Sequence, residues 1–160
     1  MALVLCILLL VPLECAGLGI NYEKSLEQQL RIIIAKHPRY VWGGSEDETK
    51  GLDCSGYIYL ASRRAALPVS RTTSLSMSRG GGNFIGHDIL FRDARGLDFI
   101  WWTFTANRPQ GHIGVLIRHP ATGVPAVTHS SSKRGVVCDY TTGALLRDIS
   151  KVRRLSIGDN

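Results

Sequence analysis

Cys54 lies in the stretch Gly51-Leu52-Asp53-Cys54-Ser55-Gly56-Tyr57. A thiol attacks a carbonyl carbon well only as thiolate, and it ionises most readily at a helix N-terminus, beside an imidazole, and partly open to solvent. Tyr57, Leu60 and Ala61 form one apolar stripe that predicts a helix from Asp53 or Cys54 to about Ala66. Arg63 and Arg64 sit near its C-terminal end, where cations complement the helix dipole, and Pro68 closes it. Cys54 then lies where the unpaired peptide N–H groups of the first turn point. Those groups can also receive the oxygen of a tetrahedral intermediate, the largest single contribution in many acyl transfers. Ser55 and Gly56 are small enough to let a substrate carbonyl approach the backbone.

Such a nucleophile needs a base, and the chain has five histidines. His37, before Pro38, reads as a helix-terminal cation; His87, in a Gly-rich stretch, and His119, before Pro120, read as solvated. His112 differs, because it opens the apolar run HIGVLI straight after the turn RPQG. A histidine at the mouth of a buried strand can face a helix N-terminus across the core edge. His129 closes the next predicted strand, so the two rings can be neighbours on one antiparallel pair. The order Cys54, His112, His129 supplies a nucleophile, a base and an orienting group, with Asp139 as an alternative orienter. The competing reading of Cys54 is a small buried hydrophobe or half of a disulfide with Cys138. There is no Cys-x-x-Cys pair and no Cys/His cluster at zinc-ligand spacing, so no structural metal is expected.

The elements that must position these groups are readable in part. Leu26, Leu30, Ile33 and Ile34 recur at helical spacing and predict an amphipathic helix over 22–36, capped by Asn21 and stopped at Pro38. YVWGG reads as a short extended piece, followed by a polar loop. Residues 70–96 read as a flexible surface loop; SRGGGNFIGHD lacks the Lys-Ser/Thr ending of a phosphate-binding loop. From Leu97 the texture is that of strands: LDFIWWTF, GHIGVLIRH, VPAVTHSSS and GVVCDYTT, punctuated by turns at PATG and SSKRG. Helices first and antiparallel strands afterwards predict an α+β fold, with N-terminal helices packed on a C-terminal antiparallel sheet.

Length and composition bound the partners. The 160 residues suffice for one domain with a real core, and 44% apolar with 20% charged residues excludes a disordered chain. A net charge of +6 suits an anionic partner, but no basic cluster with interleaved aromatics occurs, so nucleic acid is not expected. The segment 1–19, MALVLCILLLVPLECAGLG, carries an apolar run too short to span a bilayer. It reads as an export leader with Ala16, Gly17 and Gly19 offering a cleavage point, although no Lys or Arg precedes the run; the other reading is a helix packed on the core. Residues 20–160 form the domain. Contact with a membrane is expected only through an uncleaved leader, and the protein is expected to be an exported monomer of the periplasm, cell envelope or exterior.

In this order, YVWGG, GLDCSGY, LPVSRTT, LDFIWW, GHIGVLI and VTHSSSKRGVV resemble the NlpC/P60 family of cell-wall cysteine peptidases, across about residues 26–140. The resemblance implies a papain-like α+β fold in which Cys54 attacks a carbonyl, His112 is its base and His129 orients His112. It implies that Tyr40, which begins the Y-x-W-G-G block, lies beside the thiol and that Asp53 and Ser55 contact substrate. The substrate so implied is the peptide stem of bacterial peptidoglycan, cut with no cofactor. The chain departs from the family pattern in a longer loop between His112 and His129, RHPATGVPA, and an expanded stretch over 70–96; it carries no SH3-like or LysM-like module. An amidase, an acyltransferase or an antibacterial toxin on the same scaffold, or a non-catalytic wall-binding module, are the competing functions.

Overall fold

The computed structural model describes residues 21–102 and 111–156. The leader 1–19 with Cys6 and Cys15, residues 103–104 of the predicted LDFIWWTF strand, and residues 108–110 of the turn before His112 lie outside the described residues. Helix α1 spans Tyr22–Lys36, begun by Asn21, whose side-chain oxygen accepts the Lys24 N–H at 2.9 Å. It buries the predicted stripe Leu26, Leu30, Ile33 and Ile34 and ends at His37 in the left-handed conformation. Helix α2, Cys54–Arg64, is capped by Asp53 and buries Tyr57, Leu60 and Ala61 against α1 and the sheet. Each fully buried large apolar side chain here is worth about 1.5–3 kcal/mol, which docks α2 on the core.

Among the described residues the sheet has six strands, all antiparallel neighbours: β1 Gly86–Ile89, β2 Phe99–Trp102, β3 His112–Arg118, β4 Pro125–Ser131, β5 Gly135–Tyr140 and β6 Ile149–Leu155, in the order β1-β6-β2-β3-β4-β5. Period-2 alternation splits it cleanly. Ile113, Val115 and Ile117 join the large core with α1 and α2, whereas Leu116 joins Ile100, Trp102, Val127 and Val152 on the other face. The predicted α+β segregation therefore holds, with the helices packed on an antiparallel sheet. The long RHPATGVPA segment is the tip of the β3–β4 hairpin, with Arg118 opposite Pro125, and so it lies at the end of the hairpin away from His112.

Residues 70–96 are more ordered than their glycines suggest. Thr73 caps a short helix, α3 (Ser74–Ser78), and Met77 and Phe84 are fully buried. Phe84 meets Phe99 edge-on at 4.6 Å and Trp101 at 5.8 Å, so two apolar anchors fix a stretch that polarity and glycine content disguise. The stretch also supplies the edge strand β1, and its partner β6 inserts between β1 and β2. The basic ISKVRRL sequence of β6 is neutralised there: Arg153 pairs with Asp88 and Arg154 with Asp98, each at 2.8 Å.

The expected extended piece at 40–44 is instead a turn at Trp42-Gly43, begun by Val41 N–H to Leu52 O and Arg39 O to Leu52 N–H contacts. Glu48 pins this loop to both helices, since its buried carboxylate accepts from Arg64 of α2 at 2.6 Å and from Lys36 of α1. Hydrogen bonds from Arg64 first, then Lys36, hold that carboxyl down at about 2 from its ordinary 4.5. A depressed acid stabilises the fold above its unfolded pKa, and the contribution fades as pH falls from about 4.5 towards 2. Glu48→Gln is expected to lower unfolding free energy by roughly 3 kcal/mol at neutral pH. In urea titrations the gap to wild type should close as the pH is taken below the unfolded carboxyl range.

Candidate active site

Cys54 begins α2, and His112 begins β3; both line one cleft of about 550 Å³ that also takes in His129, Tyr40, Asp53 and Ser55. Every site residue expected from the sequence is thus brought to one place, from a helix start, two adjacent strands and the loop at 40–44. Cys54 and Cys138 are both free thiols, which removes the disulfide reading.

The histidines are linked directly. His112 Nε2 and His129 Nδ1 are 2.8 Å apart, and His129 Nε2 is 3.0 Å from Asp139 Oδ2. Trp102, paired with His112 across β2 and β3, packs on both rings at centroid distances of 4.9 and 5.5 Å. Gly114 makes the room, because a Cβ there would lie 3.0 Å from the Trp102 ring and 2.8 Å from Val127. The indole N–H of Trp102 is held in turn by Leu145 O at 2.8 Å, in the short helix α4 (Gly143–Leu146). Nε2 of His112 is thus engaged with His129.

The thiol itself corrects the expectation of a depressed pKa. Burial first, and the charge of Asp53 second, push Cys54 up to about 11, while backbone N–H groups of Ile113, Ser55 and Cys54 pull the other way. Only 8% of the residue is exposed, so desolvation outweighs the helix start. At neutral pH that keeps the sulfur a protonated thiol. Its contact with the Ile113 N–H sets it against the first turn of strand backbone after His112. Burial, then the Cys54 and Asp53 charges, push Tyr40 up to about 12, so its phenol stays a hydrogen-bond donor in the cleft.

Asp53 and Ser55 line the cleft, yet their polar atoms are engaged within the protein. Asp53 accepts from the N–H groups of Gly56 at 2.6 Å and Gly43 at 2.9 Å, from Ser55 Oγ at 2.9 Å and from Arg71 at 2.8 Å. Arg71 also donates to Ser55 Oγ at 2.9 Å and to the Thr72 carbonyl. Its guanidinium neutralises the carboxylate nearest the nucleophile. Arg71, in the block LPVSRTT, is a functional residue that the sequence does not single out; the signal is the acid next to the cysteine, which needs a cation from elsewhere once buried. Trp42 stands at the cleft rim with 74% of its surface exposed. Among the described residues no cluster could hold a metal ion.

No protein-family model matches the chain, and no curated protein matches it by sequence. Solved structures do. A protein of the NLP/P60 family from Staphylococcus aureus, described as similar to lipoprotein, aligns at a TM-score of 0.60 and 18% identity, over 84% of this chain and 41% of its own. RipD of Mycobacterium tuberculosis, described as a non-catalytic NlpC/P60 domain protein adapted to peptidoglycan binding, aligns at 0.55 and 15%, over 83% of this chain and 96% of its own. RipB of the same organism, a peptidoglycan hydrolase, aligns at 0.50 and 19%, over 82% and 67%. The chain spans about two fifths of the staphylococcal protein's length. The fold is the papain-like NlpC/P60 fold expected from the motif order.

Gly56 shows how tightly the nucleophile's helix is docked. A Cβ there would meet the Gly44 carbonyl oxygen at 1.9 Å, and Gly44 O also accepts the Asp53 N–H at 3.0 Å. Alanine gains about 1 kcal/mol of helix propensity, but a backbone carbonyl cannot rotate away, and overpacking of this kind costs about 1–3 kcal/mol. Gly56→Ala is therefore expected to be destabilised in thermal unfolding and to slow Cys54 alkylation. Gly96→Ala, where an added Cβ meets nothing within 4 Å, should match wild type in both assays.

Proposed function

We propose that this protein is a cysteine endopeptidase that hydrolyses peptide-stem bonds of bacterial peptidoglycan through an acyl-enzyme on Cys54. The observation that carries the reading is the shared cleft of Cys54 and His112, with His129 hydrogen-bonded behind the base at 2.8 Å. Both a hydrolase and a non-catalytic binder have this fold, so the fold does not choose between them. The complete set of nucleophile, base and orienting group favours catalysis.

The steps follow from the resting thiol. As Cys54 Sγ forms its bond to the substrate carbonyl carbon, its proton passes to His112 Nδ1. Peptide N–H groups at the start of α2 and the Tyr40 hydroxyl are the donors available to the oxyanion. The imidazolium then gives the proton to the leaving amine, the C–N bond breaks, and a thioester remains. A water loses a proton to His112 while attacking the thioester; the carboxylic acid product leaves, and the proton returns to sulfur. No cofactor enters this sequence. The positive net charge suits an anionic wall, and an export leader at 1–19 would place the enzyme outside the cytoplasm.

Digestion of peptidoglycan sacculi tests the proposal. Wild type should release new amino termini, and Cys54→Ala should lower that release by roughly a thousandfold or more while still sedimenting with sacculi. Product masses that place the cut within the stem support an endopeptidase, and a cut between stem and sugar indicates the amidase. Binding without release by wild type would make the protein a wall-binding module.

A further inference from the structure

His129 does not end the chain of hydrogen bonds that begins at the base. Its Nε2 meets Asp139 Oδ2 at 3.0 Å, and Asp139 is gripped from the solvent side by both arms of Arg134, one of them at 2.9 Å. The four groups come from β3, β4, the β4–β5 turn and β5, and the pairing of His129 with Val137 puts Asp139 within reach on the same face.

Donor arithmetic along this line has one solution. Burial alone would raise the Asp139 carboxyl, but hydrogen bonds from Arg134 and His129 hold it below its ordinary value, so it is ionised and can only accept. His129 Nε2 must therefore carry a proton. Burial, outweighing Asp139, pushes His129 below its ordinary value, so the ring is neutral at neutral pH and its Nδ1 is an acceptor. The 2.8 Å contact then requires the proton on His112 Nε2, so in a neutral His112 ring the basic nitrogen is Nδ1.

We propose that Asp139, clamped by Arg134, is a positioning residue that fixes the tautomers of both histidines and thereby makes His112 Nδ1 a base. The inference rests on the reading of Cys54 and His112 as nucleophile and base. Arg134 has a separate effect, because its positive charge disfavours a second proton on His129 and so keeps the mobile proton on His112. Among the described residues, the titratable and charged groups around His129 are His112 on β3, Asp139 on β5 and Arg134 in the β4–β5 turn. Cys54, Tyr40, Asp53 and Arg71 share its cleft. An amide at position 139 can offer an N–H to His129 Nε2, which would reverse every donor along the line and put the proton on His112 Nδ1.

The test uses the full chain and needs no substrate. Histidine nitrogen NMR at neutral pH should find both His112 and His129 protonated on Nε2 in wild type, and Asp139→Asn should lose that pattern. Alkylation of Cys54 by iodoacetamide, followed as the mass of its own peptide so that Cys138 does not interfere, should slow at least about tenfold in Asp139→Asn. Asp139→Glu should recover to within a few-fold of wild type, which separates positioning from general damage to β5. Wild-type tautomers opposite to these, or an Asp139→Asn variant with unchanged tautomers and alkylation rate, would overturn the proposal. His112→Ala separates the two levels: if it slows alkylation and Asp139→Asn does not, only the role of Asp139 falls. If His112→Ala leaves the rate unchanged, the base assignment falls and takes this inference with it.

Discussion

The hydrogen bond from one imidazole to the other, 2.8 Å between His112 Nε2 and His129 Nδ1, is the contact on which the chemistry of this cleft depends. It engages Nε2 of His112, and it requires two strands in fixed register. Trp102 wedges both rings in place, Gly114 leaves space for it, and α4 holds the indole from the far side. The β3–β4 hairpin sets the spacing, and the length of its tip is irrelevant to the site because the tip lies at the opposite end. Loops vary cheaply where strand ends cannot.

A second constraint is electrostatic. The thiol of Cys54 is buried beside an acid, which by itself makes a poor thiolate. Asp53 is nevertheless needed, since it caps α2 and ties down the turn at 42–43. Arg71 reconciles the two demands by binding Asp53 from the cleft side. The outcome is a thiol that stays protonated at rest, instead of a thiolate formed in advance by the helix start.

The parts legible in the sequence are those that local periodicity controls. The spacing of Leu26, Leu30, Ile33 and Ile34 fixed α1 to the residue, and the stripe Tyr57, Leu60 and Ala61 put the start of α2 at Asp53 or Cys54, where the structure begins it at Cys54 and ends it at Arg64, two residues short of Ala66. His112 and His129 were found because each marks the end of an apolar run, and strand ends are where a core meets solvent. The misread parts depend on partners distant in sequence. Phe84 looks like a lone aromatic in a glycine-rich loop until Phe99 and Trp101 cover it. The pKa of Cys54 was misjudged for the same reason. A helix start is visible in the sequence, whereas desolvation is a property of the assembled cleft.

The central claim, a neutral buried sulfur deprotonated by its neighbour only during reaction, is open to direct titration. Thiolate absorbs in the ultraviolet and thiol does not, so the difference spectrum between wild type and Cys54→Ser isolates this one group. The account predicts no thiolate signal at neutral pH and a rise only towards about 11. A full thiolate signal already present at neutral pH would contradict it, because the cysteine and histidine would then form an ion pair at rest.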